Sequence, residues 1–365
     1  VTISSATAII NLSRIEQNLQ KIRQLAPNSQ VLAVCKANGY GHGLVQVANS
    51  LQTANAFGVA RIEEAYKLRS SGIVKPIVLL EGFFQSTDLP HLVASNIETV
   101  VHCIEQLEAI EQATLDNPIQ VWLKIDTGMT RAGIAPEELS HYYTRLKASA
   151  NVKTEIRLMS HFACADELDS PMNSTQLSNF NHCTQYYSAP RSLANSAASL
   201  LIPESHFEWI RPGIILYGVS PLESNTESTK KFSPAMTLKS CLIAVKKVKA
   251  GSHVGYGATW TTTADTYIGI VAIGYGDGYP RHAKNGTPVW INGRNVPLIG
   301  RVSMDMITVD LGNHLQDKNG DEVELWGDNL AIETVAAHAT TIPYELMCGL
   351  TSRVKLSYLT PNINT

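Results

Sequence analysis

The segment AVCKANGYGHG, Ala33 to Gly43, ends an apolar run on a lysine and then breaks into glycines, a tyrosine and a histidine. A primary amine standing at the end of the β-type run VLAVC is a candidate nucleophile toward a carbonyl group. The same arrangement recurs downstream. Lys124 lies near the end of VWLKI, His161 follows EIRLMS, Asn195 and Ser196 close RSLAN and its next residue, and Arg211 follows FEWI. A solvated strand end would account for any one of these, and for His161 alone it is the better account. Their joint occurrence calls for a fold that gathers strand ends at one place.

Such a fold is written in the alternation of the chain. Eight short runs, beginning at Val31, Ala56, Ile77, Glu98, Val121, Glu155, Arg191 and Phe207, read as strands. Between them lie amphipathic stretches such as Leu44, Val47, Ala48 and Leu51, or Ile104, Leu107 and Ile110, with the spacing of one buried helix face. Eight strand and helix units predict an α/β fold, a (β/α)8 TIM-type barrel, in which reactive groups stand at the C-terminal strand ends. A doubly wound open sheet would use fewer units and usually carries a GxGxxG turn, which is absent.

After Gly218 the polar, turn-rich stretch PLESNTESTKK reads as a linker, and the segments beyond it are β-type. MTLKSCLIAVKKV, YIGIVAIGYG and the pair TPVWI and VPLIG, joined around Asn292-Gly293, predict a mainly β C-terminal domain with a tight hairpin. The expected domains are therefore a barrel over 7–225 and a β domain over 230–365. TAII at Thr7 is a strand in excess of eight, expected to join the β domain, and Ile15, Leu19, Ile22 and Leu25 mark a helix after it.

Composition narrows the partners. The 365 residues are 44% hydrophobic and 17% charged with a formal net charge of -3, which offers nucleic acid no broad attraction. No apolar run is long enough to span a bilayer. Six cysteines at irregular spacings, without CxxC, argue against a disulfide framework or a zinc site, so no metal is expected and most should be reduced core residues. A small-molecule partner and a cytoplasmic location follow, with a periplasmic one after removal of a leader as the alternative.

In a barrel the loops after strands seven and eight are the usual phosphate site. Here they read ANSAAS and RPGIILYG, with Ser196 able to offer hydroxyl and amide and Gly213 permitting close approach of an anion. No GxxxxGK[ST] occurs, so a nucleotide is not indicated. A lysine across from a phosphate cradle suggests a Schiff base to a phosphorylated aldehyde, and pyridoxal 5'-phosphate is the obvious candidate.

AVCKANGYGHG resembles the cofactor-lysine motif of the alanine racemases, fold type III pyridoxal phosphate enzymes. VWLKIDTGMTRAG, SHFACADE, ANSAAS, IRPGIILYG, VGYGATW, IGYGDGY, IGRVSMD and IPYELMCGL resemble further family segments in family order, covering nearly the whole chain. The resemblance implies that Lys36 holds the cofactor, that Tyr40, Ser196, Gly213, Ile214 and Tyr344 contact its phosphate, and that Asn195 belongs to the same cradle. Arg211 would face the pyridine nitrogen with His161 hydrogen-bonded behind it. An arginine stays charged and donates to that nitrogen without protonating it, which weakens the electron sink and discourages side reactions.

Racemisation needs an acid/base on each face of a planar carbon. By the resemblance Lys36 serves one face and Tyr256, in VGYGATW, serves the other from a partner subunit, as a phenol that needs nearby positive charge to act as a base. Arg131 would hold the substrate carboxylate with the amide of Met304, and Lys124 matches a position carbamylated in many members. Tyr275, Tyr344 and Asp166 match the substrate entrance, with Arg281 and Arg301 farther out and Asp305 behind the tyrosines. Ser303 stands where several members carry cysteine. The implied activity is interconversion of L-alanine and D-alanine for peptidoglycan by a head-to-tail homodimer. The alternatives are a racemase of wider range, for instance on serine; a fold type III decarboxylase, against which Arg211 speaks because those enzymes pair the ring nitrogen with an acid; and a non-catalytic carrier, which would not need the β domain.

Overall fold

The computed structural model describes residues 5–222, 229 and 231–359. The chain forms two compact units, one made of Ile15–Gly39 and Leu44–Phe232, the other of Val1–Arg14, Tyr40–Gly43 and Ser233–Thr365. The linker-like stretch PLESNTESTKK lies largely outside the described residues.

In the first unit, β1 being Thr7–Asn11 of the other, eight parallel strands close a barrel: β2 (Gln30–Val34), β3 (Ala56–Val59), β4 (Ile77–Leu79), β5 (Ile97–Val101), β6 (Ile119–Lys124), β7 (Val152–Met159), β8 (Arg191–Ser192) and β9 (Trp209–Ile210). β9 pairs back onto β2 through Gln30 with Trp209 and Val31 with Ile210. All eight runs read from the sequence are present. They read as continuous apolar stretches because parallel strands wrapped in helices are covered on both faces. Leu44, Val47, Ala48 and Leu51 are buried, as are Leu107 and Ile110, while Ile104 is half-buried at its helix start. The helix Leu12–Leu25 buries Ile15, Leu19 and Ile22, and its last turn leaves Leu25 exposed.

The second unit is built on one long strand. β10 (Met236–Val248) pairs antiparallel with β1 and with β17 (Glu322–Trp326) along its first half, and with β13 (Thr266–Val271) along its second. Its register shifts between Leu242 and Ala244, where the change of partner occurs. The order β13, β16 (Ile307–Gly312), β15 (Arg294–Ile299), β14 (Pro288–Ile291), β17, β10 thereby returns to its start, and β1 with the parallel β18 (Lys355–Leu359) extends the sheet. The Asn292-Gly293 hairpin forms as read, with φ of 46° and 83° at the two turn residues, the combination a two-residue loop requires. YIGIVAIGYG is strand only as far as Val271; its second half is a turn. The short ribbon β11 (His253–Val254) and β12 (Trp260–Thr261) holds Tyr256 in its connection.

The cysteines correct the composition reading. None of the six is in a disulfide, but only Cys35 and Cys241 are buried, Cys348 is exposed and the others are half-buried. Among the described residues no helix is long and apolar enough to cross a membrane.

Candidate active site

Lys36 does not end β2 as a strand residue. The strand stops at Val34, and Lys36 opens a single left-handed turn in which Ala37, Asn38, Gly39 and Tyr40 have φ of 53°, 55°, 63° and 50°. Three of these four residues carry side chains. Each non-glycine in this conformation costs about 1–2 kcal/mol, so the turn persists only because its surroundings hold it. Gly39 donates to the Cys35 carbonyl at 2.8 Å, the Asn38 amide to Glu64 at 3.3 Å, and the Leu44 amide to the Asn38 side chain at 3.1 Å.

The rest of the motif belongs to the β unit. A side chain at Gly41 would stand 2.1 Å from the Met347 carbonyl oxygen, which leaves room only for glycine. His42 is buried, with Nδ1 2.8 Å from the Tyr40 carbonyl and its own carbonyl accepting from Tyr358 Oη at 3.2 Å. The histidine ring thus caps the end of the turn. Tyr40 and Tyr344 face one another with ring centroids 6.0 Å apart.

In the barrel unit the ends of β2, β6, β7 and β9 bring a set of cations together. Burial and then Arg211, Arg131 and Lys36 pull the Lys124 ammonium down from 10.5 to about 8, with only Glu81 opposing. Burial, followed by Arg211, Lys124, Arg131 and Lys36, holds the His161 imidazole well below its usual range, so it is neutral. Arg211 is buried and pulled down to about 10 by loss of water, which still leaves it charged at neutral pH. Its guanidinium donates to Ser192 Oγ, to the carbonyls of Ser160 and Leu193, and lies 3.3 Å from His161 Nδ1. Neutral His161 can accept there, and a protonated one could not.

The two loops read as an anion cradle touch. The Gly213 amide donates to Ser196 Oγ at 2.8 Å, and the Ile215 amide lies 3.5 Å from the same oxygen. Ile214 is buried beside them. Asn195 caps the helix Ser196–Leu201, its side chain accepting from the Ala198 amide at 3.0 Å. Asp166 is exposed on the segment after β7. Tyr217 and Trp209 are core residues, Tyr217 donating to the Val34 carbonyl at 3.1 Å.

In the β unit Tyr256 is 71% exposed in its turn, and a side chain at Gly257 would stand 3.2 Å from Nη1 of Arg301. Arg301 therefore lies against the turn that carries Tyr256. Tyr275 and Met304 are also exposed, and their loops are zipped together by Tyr275 N to Ser303 O at 3.0 Å and Gly276 N to Met304 O at 2.8 Å. Arg353 ties the same two loops, with Nε 3.1 Å from Asp277 and Nη1 2.8 Å from Asp305. Asp305 thus serves the loop pair through Arg353, a residue that sequence reasoning missed because TSRVKL carries no local signal.

Two family models match the chain consecutively, "Alanine racemase, N-terminal domain" over residues 10–221 and "Alanine racemase, C-terminal domain" over residues 235–358. The chain belongs to the alanine racemase family. The alanine racemase of Vibrio cholerae is 58% identical over 354 residues, covering 97% of this chain and 98% of that one. That of Aliivibrio salmonicida is 57% identical over 356 residues, 98% of this chain and 99% of its own. Among solved structures, the biosynthetic alanine racemase from Pseudomonas aeruginosa superposes with a TM-score of 0.95 at 43% identity, covering 98% of this chain and 100% of that one. The family's barrel and β domain are the two architectures seen here.

Proposed function

We propose that this member of the alanine racemase family is an isomerase that interconverts L-alanine and D-alanine by two-base proton transfer with pyridoxal 5'-phosphate. The observation that carries the reading is the set Lys36, Lys124, Arg131 and Arg211 around a neutral His161, a site whose positive charge calls for anionic occupants. A phosphorylated aldehyde and an amino-acid carboxylate fit that charge. Lys36 Nζ would anchor the cofactor, Tyr40, Ser196, Gly213, Ile214 and Tyr344 would hold its phosphate, and Arg211 would donate to its ring nitrogen. When bound, the cofactor makes the substrate Cα–H acidic by drawing off its electrons.

The chain's residues do the rest. Lys36 Nζ takes or returns the Cα proton on one face. Tyr256 Oη of the partner subunit does so on the other, in a head-to-tail homodimer that the exposure of Tyr256 and Met304 supports. Arg131 holds the carboxylate, with the amide of Met304 of the partner subunit. Arg211, held by four acceptors, keeps its proton, which favours quick return of the Cα proton over decarboxylation or transamination. Tyr275 and Tyr344 limit substrate size at the entrance, with Asp166 at its rim. The assay is solvent-deuterium incorporation at Cα over a panel of single amino-acid enantiomers. Both alanine enantiomers should exchange fastest; loss of CO2, or faster exchange of serine or a basic amino acid, would sink this assignment. The D-alanine would supply peptidoglycan from the cytoplasm, and a deletion strain that grows without added D-alanine would contradict that role.

Lys124 is proposed to be carbamylated. An amine at about 8 is partly neutral under physiological conditions, so its nitrogen can bond to the carbon of CO2 and release a proton to solvent, leaving a carboxylate to face Arg131. After borohydride has fixed the cofactor on Lys36, the native intact mass should exceed that of chain plus cofactor by one CO2, and only that CO2 should be lost on acid treatment. The free amine gives a second readout. Its folded value lies below its unfolded one, so the unfolded chain binds more protons between about 8 and 10.5, and stability should rise with pH across that window. That slope should be present in protein stripped of CO2 and absent in bicarbonate; a slope unchanged by bicarbonate would show that no carbamate forms.

A further inference from the structure

The loop that carries Arg131 is organised by a carboxylate to which the family resemblance assigned no role. After β6 the chain runs from Ile125 out and back to Ile134, closed at its neck by Asp126 N to Ile134 O at 2.8 Å and Ile134 N to Lys124 O at 2.9 Å. Inside this loop Asp126 Oδ1 accepts from the amides of Gly128 at 2.9 Å and Thr130 at 3.1 Å, and Oδ2 accepts from the amide of Arg131 itself at 3.0 Å. Thr130 sits at φ 56°, a conformation that a β-branched residue adopts only when its surroundings impose it. Charge-assisted bonds to the amides on both sides of that strained residue supply the constraint.

The loop is also fixed to the element that holds Arg211. Thr127 and Ser160 are buried, with their hydroxyls 2.8 Å apart, and the Ser160 carbonyl accepts from the Arg211 guanidinium. Asn179 reaches the Thr127 carbonyl at 3.3 Å. The backbone at 131 is therefore set by Asp126 from within and by Thr127 from the barrel side. This is separate from any action of Lys124, which would reach the Arg131 side chain and not its main chain.

We propose that Asp126 is a positioning residue for substrate binding: its carboxylate gathers the 128–131 amides and so presents the Arg131 guanidinium to the substrate carboxylate. The inference rests on the substrate-binding role proposed for Arg131. It places the effect on binding and leaves the proton-transferring groups alone.

The test compares wild-type holoenzyme with Asp126→Asn and Asp126→Ala, measuring KM and kcat for both alanine enantiomers, competitive inhibition by propionate, and the cofactor absorbance. Asp126→Ala should raise KM and the propionate inhibition constant together, each by about tenfold or more, with kcat changed by less than about threefold and the absorbance unchanged. Asp126→Asn, which keeps one acceptor oxygen, should fall between and serves where the alanine variant fails to fold. Equal KM values in wild type and Asp126→Asn, or a fall in kcat and thermal midpoint with KM and propionate inhibition unmoved, would overturn the proposal. Failure of the underlying reading looks different: wild-type enzyme itself would not exchange alanine Cα hydrogen, or Arg131→Lys would leave propionate inhibition unchanged.

Discussion

Lys36→Ala is expected to lower racemisation by about four orders of magnitude or more, because one side chain supplies both the cofactor anchor and an acid/base, and proton transfer alone contributes about 10²–10⁴-fold. Borohydride reduction of wild type should fix the cofactor on the peptide containing Lys36, and label recovered on another lysine would refute the assignment. Tyr256→Phe should be almost as inactive while still binding cofactor, since it removes the acid/base of the other face only. The shared-site reading makes a sharper demand. Lys36→Ala and Tyr256→Phe subunits, mixed under exchange conditions, should regain activity, because one of the two sites in each heterodimer has Lys36 from one subunit and the partner subunit's Tyr256. Verified heterodimers that stay inactive would contradict the shared site.

The largest loss of stability is expected at Glu98. This β5 carboxylate is buried and accepts from Trp122 Nε1 at 2.7 Å and from Arg157 Nη1 at 2.9 Å. The Arg157 guanidinium also lies against two indoles that touch edge to face, 4.9 Å from the Trp122 ring centroid and 5.0 Å from that of Trp209. Glu98→Ala would leave a confined cation without its buried counter-charge and an indole N–H without its acceptor. Breaking one side of such a pair costs about 3–5 kcal/mol. Arg157 retains a second carboxylate, Glu155, but that group is half exposed and screened by water, so it compensates little. Urea unfolding followed by tryptophan fluorescence measures this, with Trp122 and Trp209 as local reporters. The double variant Glu98→Leu with Arg157→Met should recover most of the loss, since an apolar pair removes the unpaired charge. A midpoint for Glu98→Ala equal to wild type would show that the pair contributes nothing.

The two cases differ in how visible they are in the sequence. Lys36 stands at the end of an apolar run beside a cluster of glycines, a local pattern. Glu98 reads as the first residue of an ordinary strand ETVV, and nothing near it announces a partner on β7, 59 residues away. Arg353 is equally silent, since its partner Asp305 is 48 residues distant. Asp126 is intermediate. An aspartate followed by threonine and glycine is a turn signal, but a turn signal does not say that the carboxylate will also reach the Arg131 amide.

What the residues determine by themselves is whatever is written in local period and turn chemistry. Eight apolar runs separated by amphipathic stretches admit few arrangements other than a closed parallel barrel, and Asn292-Gly293 admits little besides a two-residue hairpin. What tertiary structure alone decided is everything that depends on long-range pairing or imposed strain. The partners of Thr7–Asn11 are β10 and β18, more than two hundred residues away in sequence. The turn after Lys36 is left-handed through Ala37 and Tyr40, against their intrinsic preference, because bonds from Glu64, Leu44 and Cys35 hold its first part and the packing around Gly41 and His42 holds the rest. Local propensity is a matter of fractions of a kcal/mol per residue, whereas a buried charge or a closed backbone contact is a matter of several, so where the two conflict the fold decides.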